Sequence, residues 1–214
     1  MTQFLQQLNP YNNSKVSDGT TLIAIKCVDG VVLSADTRTS SDIRIENRVS
    51  RKLEHITDQI MVGCSGSAAD TRALCRILRN HIYEHELQIG QKCAIKTAAN
   101  LLAKMNFQYR AQLLAGLLVC GVDSTGYHVF KVMPGGTFIE ENMLMSGSGS
   151  TYVYALADEL YNDSLTMEQG VAVCKKLLRY AGKFDGSSGG LMRWVKIGAN
   201  GSDYFEEDNM EVMF

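Results

Sequence analysis

Strand-like and helix-like segments occur in groups along this chain and do not alternate one by one. Short apolar runs typical of strands fill residues 21–64, and strand-like runs return between residues 115 and 149 and in a final hairpin with Asn-Gly at its turn. The four segments of helical period between these groups cover residues 68–82, 94–114, 151–160 and 166–180. A parallel sheet needs strict βαβ alternation, whereas grouped strands suit antiparallel sheets covered by helices. The order therefore predicts an α+β domain built in layers.

The first two predicted helices each have one apolar face. Ser67 is the predicted N-cap of the first helix. Its apolar face consists of Ala69, Ala73, Leu74, Ile77, Leu78 and Ile82. The buried stripe predicted for the second helix consists of Ala98, Leu101, Leu102, Met105 and Tyr109. Both faces are expected to pack against a sheet.

Length and charge limit the classes of function that the chain can have. The chain has 214 residues, which fits one large domain, and its net charge is -2. There is no basic field, so nucleic acid is not an expected partner. The longest apolar runs are much too short to cross a bilayer.

The N-terminal leader and the cysteines indicate a reducing compartment. Residues 1–19 lack the charged and apolar regions of a secretory signal, and their Gln, Asn and Ser predict a flexible leader with little to bury. The six cysteines are scattered, with no CxxC pair, so we expect reduced core thiols rather than a zinc site or a disulfide framework. They are Cys27, Cys64, Cys75, Cys93, Cys120 and Cys174. Cytosol or nucleus is the expected location.

Several polar residues have simple explanations when taken one at a time. Asp36 and Arg38 end the second strand, where a surface ion pair would suffice, and Lys52 opens a later strand as one more solvated lysine. His81 and His85 have the spacing of metal ligands on a helix, but the run lacks the glutamate of an HExxH motif. We interpret these two histidines as ordinary helix residues.

Two glycine-serine clusters are more informative. Residues 146–151 follow a strand and open a helix, so their N–H groups could form an anion-binding nest, although no phosphate-loop motif is present. Residues 184–190 lie between a helix and the last hairpin. Most glycine-rich turns are only turns. Together with Asp185, however, these loops leave several short hydroxyls free to orient a reacting group.

Thr20 is a candidate nucleophile because no histidine is placed for a serine or cysteine triad. An N-terminal threonine carries its own base, an α-amino group with a reference pKa of about 8, beside its hydroxyl. A nearby Lys⁺ would lower the pKa of that amine and hydroxyl, and an aspartate would hold the lysine. The alternative is that Thr20 and Thr21 are ordinary strand residues.

The motifs together resemble those of proteasome beta-type subunits, which are N-terminal-nucleophile threonine proteases. The matching runs are Gly19-Thr20-Thr21, SADTR at 34–38, NRVSRKL at 47–53, SGSAADT at 65–71, GSGST at 147–151 and DGSSGG at 185–190. The resemblance covers nearly everything after the leader. It implies the Ntn-hydrolase fold, a four-layer αββα sandwich of two antiparallel sheets flanked by helices. The last three motifs are most similar to those of the caspase-like catalytic subunit, which cuts after acidic residues.

The resemblance also implies a domain division and a catalytic set. Residues 1–19 would be a propeptide and residues 20–214 the catalytic domain, separated by autocatalytic cleavage of the Gly19–Thr20 bond. Thr20 would then be the nucleophile, Lys52 would tune its pKa and Asp36 would hold Lys52. The residues surrounding the new amino terminus and shuttling its proton would be Ser148, Asp185 and Ser188. The N–H of Gly66 would be the oxyanion donor.

The implied S1 pocket departs from the caspase-like pattern. Its residues would be Cys64, Arg72, Ala68 and Thr39. Caspase-like subunits usually carry an arginine at the position of Cys64, and a neutral thiol cannot pair with a substrate carboxylate. One hypothesis is that Arg72, one helical turn beyond Ala68, supplies the displaced positive charge. The other is that Arg72 points into solvent and the pocket prefers small apolar residues.

The resemblance implies an active threonine endopeptidase of the proteasome core, working without a cofactor or metal. Its partners would be other beta subunits in a seven-membered ring, a second beta ring and the alpha rings, and its substrates would be unfolded or ubiquitin-targeted proteins. It would work in the cytoplasm and nucleus. Two other readings stay open: a structural beta subunit that does not cut, and a subunit of the simpler bacterial protease ring, which is less favoured because that ring lacks the DGSSGG form.

Overall fold

The computed structural model describes residues 19–41 and 44–207. Within them the chain forms twelve strands and four helices. The strands are β1 Leu22–Cys27, β2 Gly30–Asp36, β3 Thr39–Ser41, β4 Arg44–Asn47, β5 Leu53–Thr57, β6 Ile60–Gly66, β7 Ala115–Asp123, β8 Gly126–Val132, β9 Phe138–Glu140, β10 Met143–Ser146, β11 Met192–Gly198 and β12 Gly201–Glu207. The helices are α1 Ala68–Ile89, α2 Ile95–Gln108, α3 Ser150–Leu160 and α4 Met167–Phe184.

Ten of the strands form two five-stranded antiparallel sheets, as the grouped order predicts. The first sheet has the order β10-β1-β2-β11-β12 and the second β5-β6-β7-β8-β9, while β3 and β4 pair separately. The predicted hairpin joins β11 to β12, but its two turn residues are Ala199 and Asn200, because the register pairs Gly198 with Gly201 and Gly201 is the first residue of β12. The first sheet thus joins the N-terminal strands to the C-terminal hairpin.

Three apolar clusters hold the layers together. One packs between the two sheets and includes Leu33 of β2 and Leu118 of β7. Another packs α1 and α2 on the second sheet, and the third packs α3 and α4 on the first. Burial on both faces explains why β1 and β2 read as continuous apolar runs rather than as alternating patterns. The αββα sandwich and the α+β class are confirmed.

The helix ends and faces differ in part from the predictions. Ser67 caps α1 as predicted, since its side chain accepts a hydrogen bond from the N–H of Asp70. Ala69 and Ile77 were wrongly assigned to the buried face and are exposed. The helix is rotated about its axis relative to the predicted orientation. Its buried side consists of Thr71, Leu74, Cys75, Leu78 and Ile82. An unbroken apolar period does not reveal a rotation of this size.

Helix α2 is shorter than predicted and ends at Gln108. Tyr109, assigned to its buried stripe, is exposed. The chain turns there, because the Gln112 N–H donates to the Tyr109 carbonyl at 2.8 Å. The side-chain amide of Asn106 donates to the Ala115 carbonyl at 2.9 Å, which ties the end of the helix to the start of β7.

Helix hydropathy and the state of the thiols can be described for this part of the chain. No helix in residues 19–41 and 44–207 is long and apolar enough to cross a membrane. All six cysteines are free thiols with buried side chains.

Candidate active site

The backbone of Thr20 is held between the start of β1 and the loop that joins β10 to α3. Thr20 is 3% exposed, and its N–H donates to the Ser148 hydroxyl at 3.2 Å. The N–H of Gly149 donates to the Thr20 carbonyl at 3.2 Å. The glycine-serine loop at residues 146–151, a possible anion nest in the sequence, therefore uses its polar groups to position Thr20.

The carbonyl of Gly19 receives two donors that matter for chemistry. The Thr20 hydroxyl donates to it at 2.7 Å, and the Lys52 ammonium donates to it at 2.9 Å. Both contacts polarise the carbonyl of the bond predicted to be cut. Only glycine fits at position 19, because a Cβ there would lie 2.1 Å from the Ser187 carbonyl oxygen.

Lys52 and Asp36 form a buried ion pair. The Lys52 Nζ lies 2.7 Å from Asp36 Oδ1, and the two side chains are 5% and 0% exposed. The Lys52 ammonium also donates to the Arg38 carbonyl at 2.6 Å. The simpler interpretations, a surface ion pair between Asp36 and Arg38 and a solvated Lys52, are therefore wrong. A buried charge is tolerated only when it is paired and hydrogen-bonded, and this pair is both.

Backbone donors complete the environment of Asp36. Its carboxylate accepts hydrogen bonds from the N–H groups of Thr21 at 2.8 Å, Arg38 at 3.2 Å and Gly189 at 2.9 Å. Two of these donors lie close to Asp36 in the chain, but Gly189 comes from the loop after α4. The ion pair is therefore fixed by parts of the chain more than 150 residues apart.

Asp185 organises the hydroxyls on the other side of Thr20. It follows the last residue of α4, and its Oδ2 accepts hydrogen bonds from Ser148 at 2.7 Å and from Ser188 at 2.6 Å. Since Ser148 also accepts from the Thr20 N–H, a continuous chain of hydrogen bonds leads from the Thr20 nitrogen to the Asp185 carboxylate. The structure thus brings all six predicted catalytic side chains together.

Thr21 is a residue that the sequence analysis missed. It is fully buried, and its hydroxyl lies 2.7 Å from that of Ser188 while its N–H donates to Asp36. Thr21 thereby links the ion pair on one side of Thr20 to the Asp185 group on the other. The Thr-Thr pair at the start of the strand was the only signal, and it cannot show which way either side chain points.

Gly66 lies at the end of β6, beside the same pocket as Thr20. N–H groups two residues apart in a strand point the same way. The Cys64 N–H donates to the Lys52 carbonyl at 2.8 Å, so the Gly66 N–H is directed to the Lys52 side of β6. The φ of Gly66 is 92°, and a Cβ would lie 2.4 Å from the Leu114 carbonyl oxygen, so a larger residue does not fit.

The four residues predicted for the S1 pocket all line one pocket that contains Thr20. They are Thr39, Cys64, Ala68 and Arg72. The sequence analysis missed further residues of the wall, namely Ser50, Arg51, Glu54 and Thr71. Ser50, Arg51 and Glu54 flank Lys52 in the chain, and Thr71 lies on the buried face of α1. These two segments meet only because α1 packs against the second sheet.

The charges of this pocket are unequal. Arg51 and Arg72 are both exposed, and neither forms an ion pair within the part of the chain that the structure describes. The Glu54 carboxylate lies 3.7 Å from the Arg79 guanidinium, outside the pocket wall. The pocket wall therefore contains two arginines without an ion-pair partner among the described residues and one carboxylate that is already paired with Arg79.

His81 and His85 lie on α1, as predicted, and do not line the pocket. The nearest carboxylate to His81 is that of Glu84, at 3.9 Å, and both side chains are exposed. Their interpretation as ordinary helix residues agrees with this position.

Comparisons with known proteins place the chain in a family. The model of the family described as "Proteasome subunit" matches residues 16–197. The chain is 36% identical over 197 residues to "Probable proteasome subunit beta type-1" of Schizosaccharomyces pombe, covering 92% of this chain and 87% of that protein. It is 35% identical to "Proteasome subunit beta type-6" of Arabidopsis thaliana (92% and 85% covered) and 34% identical to "Proteasome subunit beta type-9" of Rattus norvegicus (91% and 89% covered). The chain therefore belongs to the proteasome subunit family, with beta-type subunits as its relatives.

Proposed function

We propose that this chain is a catalytic beta subunit, a threonine endopeptidase with Thr20 as its nucleophile. Residues 1–19 are its propeptide, and the Gly19–Thr20 bond is cut autocatalytically. The observation that carries this proposal is the pair of hydrogen bonds from the Thr20 hydroxyl and the Lys52 ammonium to the Gly19 carbonyl. A structural subunit would have no need for a buried lysine aimed at that carbonyl.

Processing begins with attack of Thr20 Oγ on the carbonyl carbon of Gly19. Lys52 stabilises the negative charge that develops on the carbonyl oxygen, and the ion pair with Asp36 holds Lys52 in place. Collapse of the tetrahedral intermediate breaks the Gly19–Thr20 amide, the proton lost by the Thr20 hydroxyl passes to the Thr20 nitrogen, and an ester between Gly19 and Thr20 remains. Water then hydrolyses this ester, which releases residues 1–19 and the free amine of Thr20.

The mature enzyme uses the same groups on a peptide substrate. The freed amine of Thr20 takes the proton of the Thr20 hydroxyl as Oγ attacks the scissile carbonyl, and it later gives a proton to the leaving amine. The Gly66 N–H stabilises the oxyanion of the intermediate. Ser148, Asp185 and Ser188 hold the amine through the hydrogen bonds that now reach the Thr20 nitrogen. Water finally hydrolyses the acyl-enzyme.

The test of catalytic function is the N-terminus and activity of this subunit in purified core particles. We expect mass analysis to find Thr20 as the first residue, and a Thr20→Ala particle to retain the propeptide and lose the activity of this subunit. Thr137→Ala, at an exposed position outside the pocket, is the matched control. A mature N-terminus at any other residue, or full activity of the Thr20→Ala particle, would contradict the proposal and favour a structural subunit.

We further propose that the pocket prefers acidic residues at P1. Arg72 and Arg51 line it without ion-pair partners among the described residues, while Glu54 is engaged by Arg79. A carboxylate bound by a guanidinium forms a charge-assisted hydrogen bond worth about 1.5–3 kcal/mol. The competing candidate is a preference for small apolar residues, favoured by the Cys64 and Ala68 side chains in the same wall.

Peptides with acidic, apolar and basic P1 residues distinguish the two preferences. We expect Arg72→Ala to lower kcat/KM for acidic P1 by about tenfold or more, since 1.4 kcal/mol corresponds to a factor of ten. Cleavage after apolar P1 residues should change little. Arg76→Ala is the matched control, because Arg76 is an exposed arginine one turn further along α1 that does not line the pocket. If acidic-P1 cleavage survives Arg72→Ala unchanged, the acidic preference through Arg72 is wrong.

Family membership implies assembly with other proteasome subunits. We propose that the chain works in a four-ring particle, in a seven-membered beta ring next to an alpha ring and a second beta ring, on unfolded or ubiquitin-targeted proteins. A location in cytoplasm and nucleus is supported by six free thiols, which are typical of reducing compartments. Imaging of a tagged subunit and mass analysis of the purified particle test location and composition.

A further inference from the structure

Arg193 is a buried cation that none of the catalytic steps above uses. It lies on β11, whose side chains alternate between the helix side of the first sheet and the layer between the sheets. Met192 and Trp194 pack on the helix side, whereas Val195 and Ile197 belong to the layer between the sheets. Arg193 has the same parity as Val195 and Ile197, so it lies at the end of the inter-sheet layer, where it is 8% exposed. A charge buried at such a place requires fixed hydrogen-bond partners.

The guanidinium of Arg193 joins two distant segments of the chain. Its Nε donates to Glu206 Oε2 at 2.5 Å, and Glu206 lies directly opposite Arg193 on the neighbouring strand β12. Its Nη1 donates to the carbonyl oxygens of Ser50 at 2.9 Å and of Val49 at 3.2 Å. A guanidinium can make such bonds in different directions at once, because its donors form a rigid planar fork. Glu206 thus orients the group that holds Val49 and Ser50.

The two held carbonyls belong to the segment that carries Lys52. Residues 48–52 lie between β4 and β5 and belong to neither strand. The Ser50 N–H donates to the Thr37 carbonyl at 2.9 Å, which fixes one side of the backbone of this segment. Arg193 fixes the other side through the two carbonyls. The second of these carbonyls lies only two residues before Lys52.

We propose that Arg193 is a positioning residue for Lys52. Because it fixes the backbone just before Lys52, it directs the Lys52 ammonium to the Gly19 carbonyl at 2.9 Å and to the Asp36 carboxylate at 2.7 Å. Loss of Arg193 leaves the charge of Lys52 in place but removes one of the anchors that aim it. The inference rests on the proposed function, in which Lys52 acts on the Gly19 carbonyl and on Thr20.

Arg193 also borders a cavity at the edge of the sandwich. The cavity has a volume of about 390 Å³ and is lined by residues of β5 and β12, the edge strands of the two sheets. Arg51 lines both this cavity and the pocket beside Thr20. The Glu206 side chain in the cavity wall is 47% exposed, so small ions from solution can enter. A guanidinium ion can therefore reach the place of a truncated Arg193 side chain.

Peptide kinetics of purified core particles test the positioning role. We expect Arg193→Ala to lower kcat for apolar-P1 peptides by about tenfold or more, because small displacements of catalytic groups slow a reaction strongly. KM should change less, since Cys64 and Ala68 of the pocket wall lie on β6 and α1. Rates are counted per mature Thr20 N-terminus, so that loss of assembly or of processing does not enter kcat.

Lys196→Ala is the matched control. Lys196 is a cation on the same strand, but it pairs with Glu168 of α4 on the helix side of the sheet. Guanidinium ions should restore part of kcat in Arg193→Ala particles and leave wild-type and Lys196→Ala particles unchanged. Unchanged kcat in Arg193→Ala, or an equal fall in Lys196→Ala, would overturn the inference.

Arg193→Lys is the milder variant, used if Arg193→Ala fails to assemble. A lysine keeps the charge but lacks the planar fork, so its kcat should lie below that of the wild type. Wild-type kcat in Arg193→Lys, where Arg193→Ala does not assemble, would show a role in stability alone and would overturn the inference.

The position of Lys52 separates this inference from the proposed function. Thr20→Ala particles keep the Gly19 carbonyl, and their structure is determined with and without Arg193→Lys. We expect the Lys52 Nζ to move out of hydrogen-bond range of the Gly19 carbonyl oxygen in the double variant. An unchanged distance would overturn the inference. A displaced Lys52, together with wild-type particles that do not cleave at Thr20, would contradict the proposed function and leave the positioning of Lys52 supported.

Discussion

Lys52 and Asp36 are charged side chains held almost entirely out of water. Removing one partner of such a pair costs about 3–5 kcal/mol, because the other charge is left buried and uncompensated. The carboxylate of Asp36 is further held by three backbone N–H groups. Substitution of any one of these hydrogen-bonded residues around Thr20 therefore disturbs its neighbours. Substitutions at the periphery of this hydrogen-bonded set are the most informative.

Gly19→Ala should slow the proposed removal of residues 1–19. The added Cβ would lie 2.1 Å from the Ser187 carbonyl oxygen, so the Gly19 carbonyl must move away from Thr20 and Lys52. The measurement is the fraction of unprocessed subunit in assembled particles, by mass analysis. Gly186→Ala is the control. Gly186 lies next to Ser187 in the loop after α4, and its added Cβ meets nothing within 4 Å. Identical processing of the two variants would contradict the expected clash.

Thr21→Val should lower kcat for peptides cleaved at Thr20 by about tenfold. Valine keeps the shape and the N–H that holds Asp36, but it removes the hydrogen bond between the Thr21 and Ser188 hydroxyls and leaves Ser188 with its bond to Asp185, at a cost of about 1–3 kcal/mol. Thr21→Ser retains the hydroxyl and should restore kcat. The pH profile of kcat is measured for all three proteins. Equal loss in the valine and serine variants, with unchanged profiles, would indicate packing alone.

Helix α1 begins directly after β6, and this junction builds much of the pocket. The strand ends at Gly66, Ser67 caps the helix, and Ala68, Thr71 and Arg72 follow within its first turns. No loop separates Gly66, the proposed oxyanion donor, from these residues of the pocket wall. Their relative positions therefore depend on the packing of one helix against one strand, rather than on a flexible connection.

Helix α2 depends on a carboxylate from another element for its N-terminal cap. Its N-cap residue, Ala94, has no side-chain acceptor, and the Ile95 N–H donates instead to Asp123 Oδ2 at 3.0 Å. We expect Asp123→Ala to increase hydrogen exchange of the first turn of α2 in assembled particles. Asp203→Ala, on β12, is the control.

The pH dependence of this cap follows from the carboxylate. Burial of Asp123 is outweighed by hydrogen bonds from Thr125 and from the Ile95 N–H and by the charge of His128, so its pKa is lowered. A lowered pKa gives stability that is present above the unfolded pKa of about 3.9 and is lost only as pH falls through the folded value. The effect of Asp123→Ala should therefore be the same at pH 7 and pH 5. A clear decrease at pH 5 would contradict this assignment.

The candidate active site exists only where the two sheets meet. Thr20 lies just before β1 and Asp36 ends β2, both strands of the first sheet, and Lys52 precedes β5 of the second. The Ser65 and Ser146 hydroxyls, 2.9 Å apart, join β6 to β10 across the interface. The apolar layer between the sheets thus sets how Lys52 approaches the Gly19 carbonyl.

Leu33→Ala should slow cleavage of the Gly19–Thr20 bond more than an equally buried substitution elsewhere. Leu33 is fully buried between the sheets, and truncating such a leucine costs about 2–5 kcal/mol. Leu102→Ala is the matched control, because Leu102 is equally buried but lies on α2, in the cluster that packs against the second sheet. The rate of processing is compared in particles that assemble. Equal rates would show that the inter-sheet layer does not control the site.

Some of this molecule was predictable because local chemistry decides it. The apolar periods predicted the strands and helices, and the Ser67 cap and the turn of the last hairpin depend on residues close in sequence. Ala69, Ile77 and Tyr109 were wrongly assigned to buried helix faces. At these positions the orientation or the end of a helix is set by its packing against strands that are distant in the sequence. The motifs also predicted which residues gather around Thr20, but not how.

The sequence by itself determined the order of elements, the layered class and the identity of the polar residues around Thr20. Only the tertiary structure decided that Asp36 and Lys52 are buried, that Thr21 bridges to Ser188 and that Cys64 faces Cys75. The physical reason is that burial and hydrogen-bond partners depend on the packing of two sheets and a helix. Such contacts join residues that are far apart in the chain, and no local pattern records them.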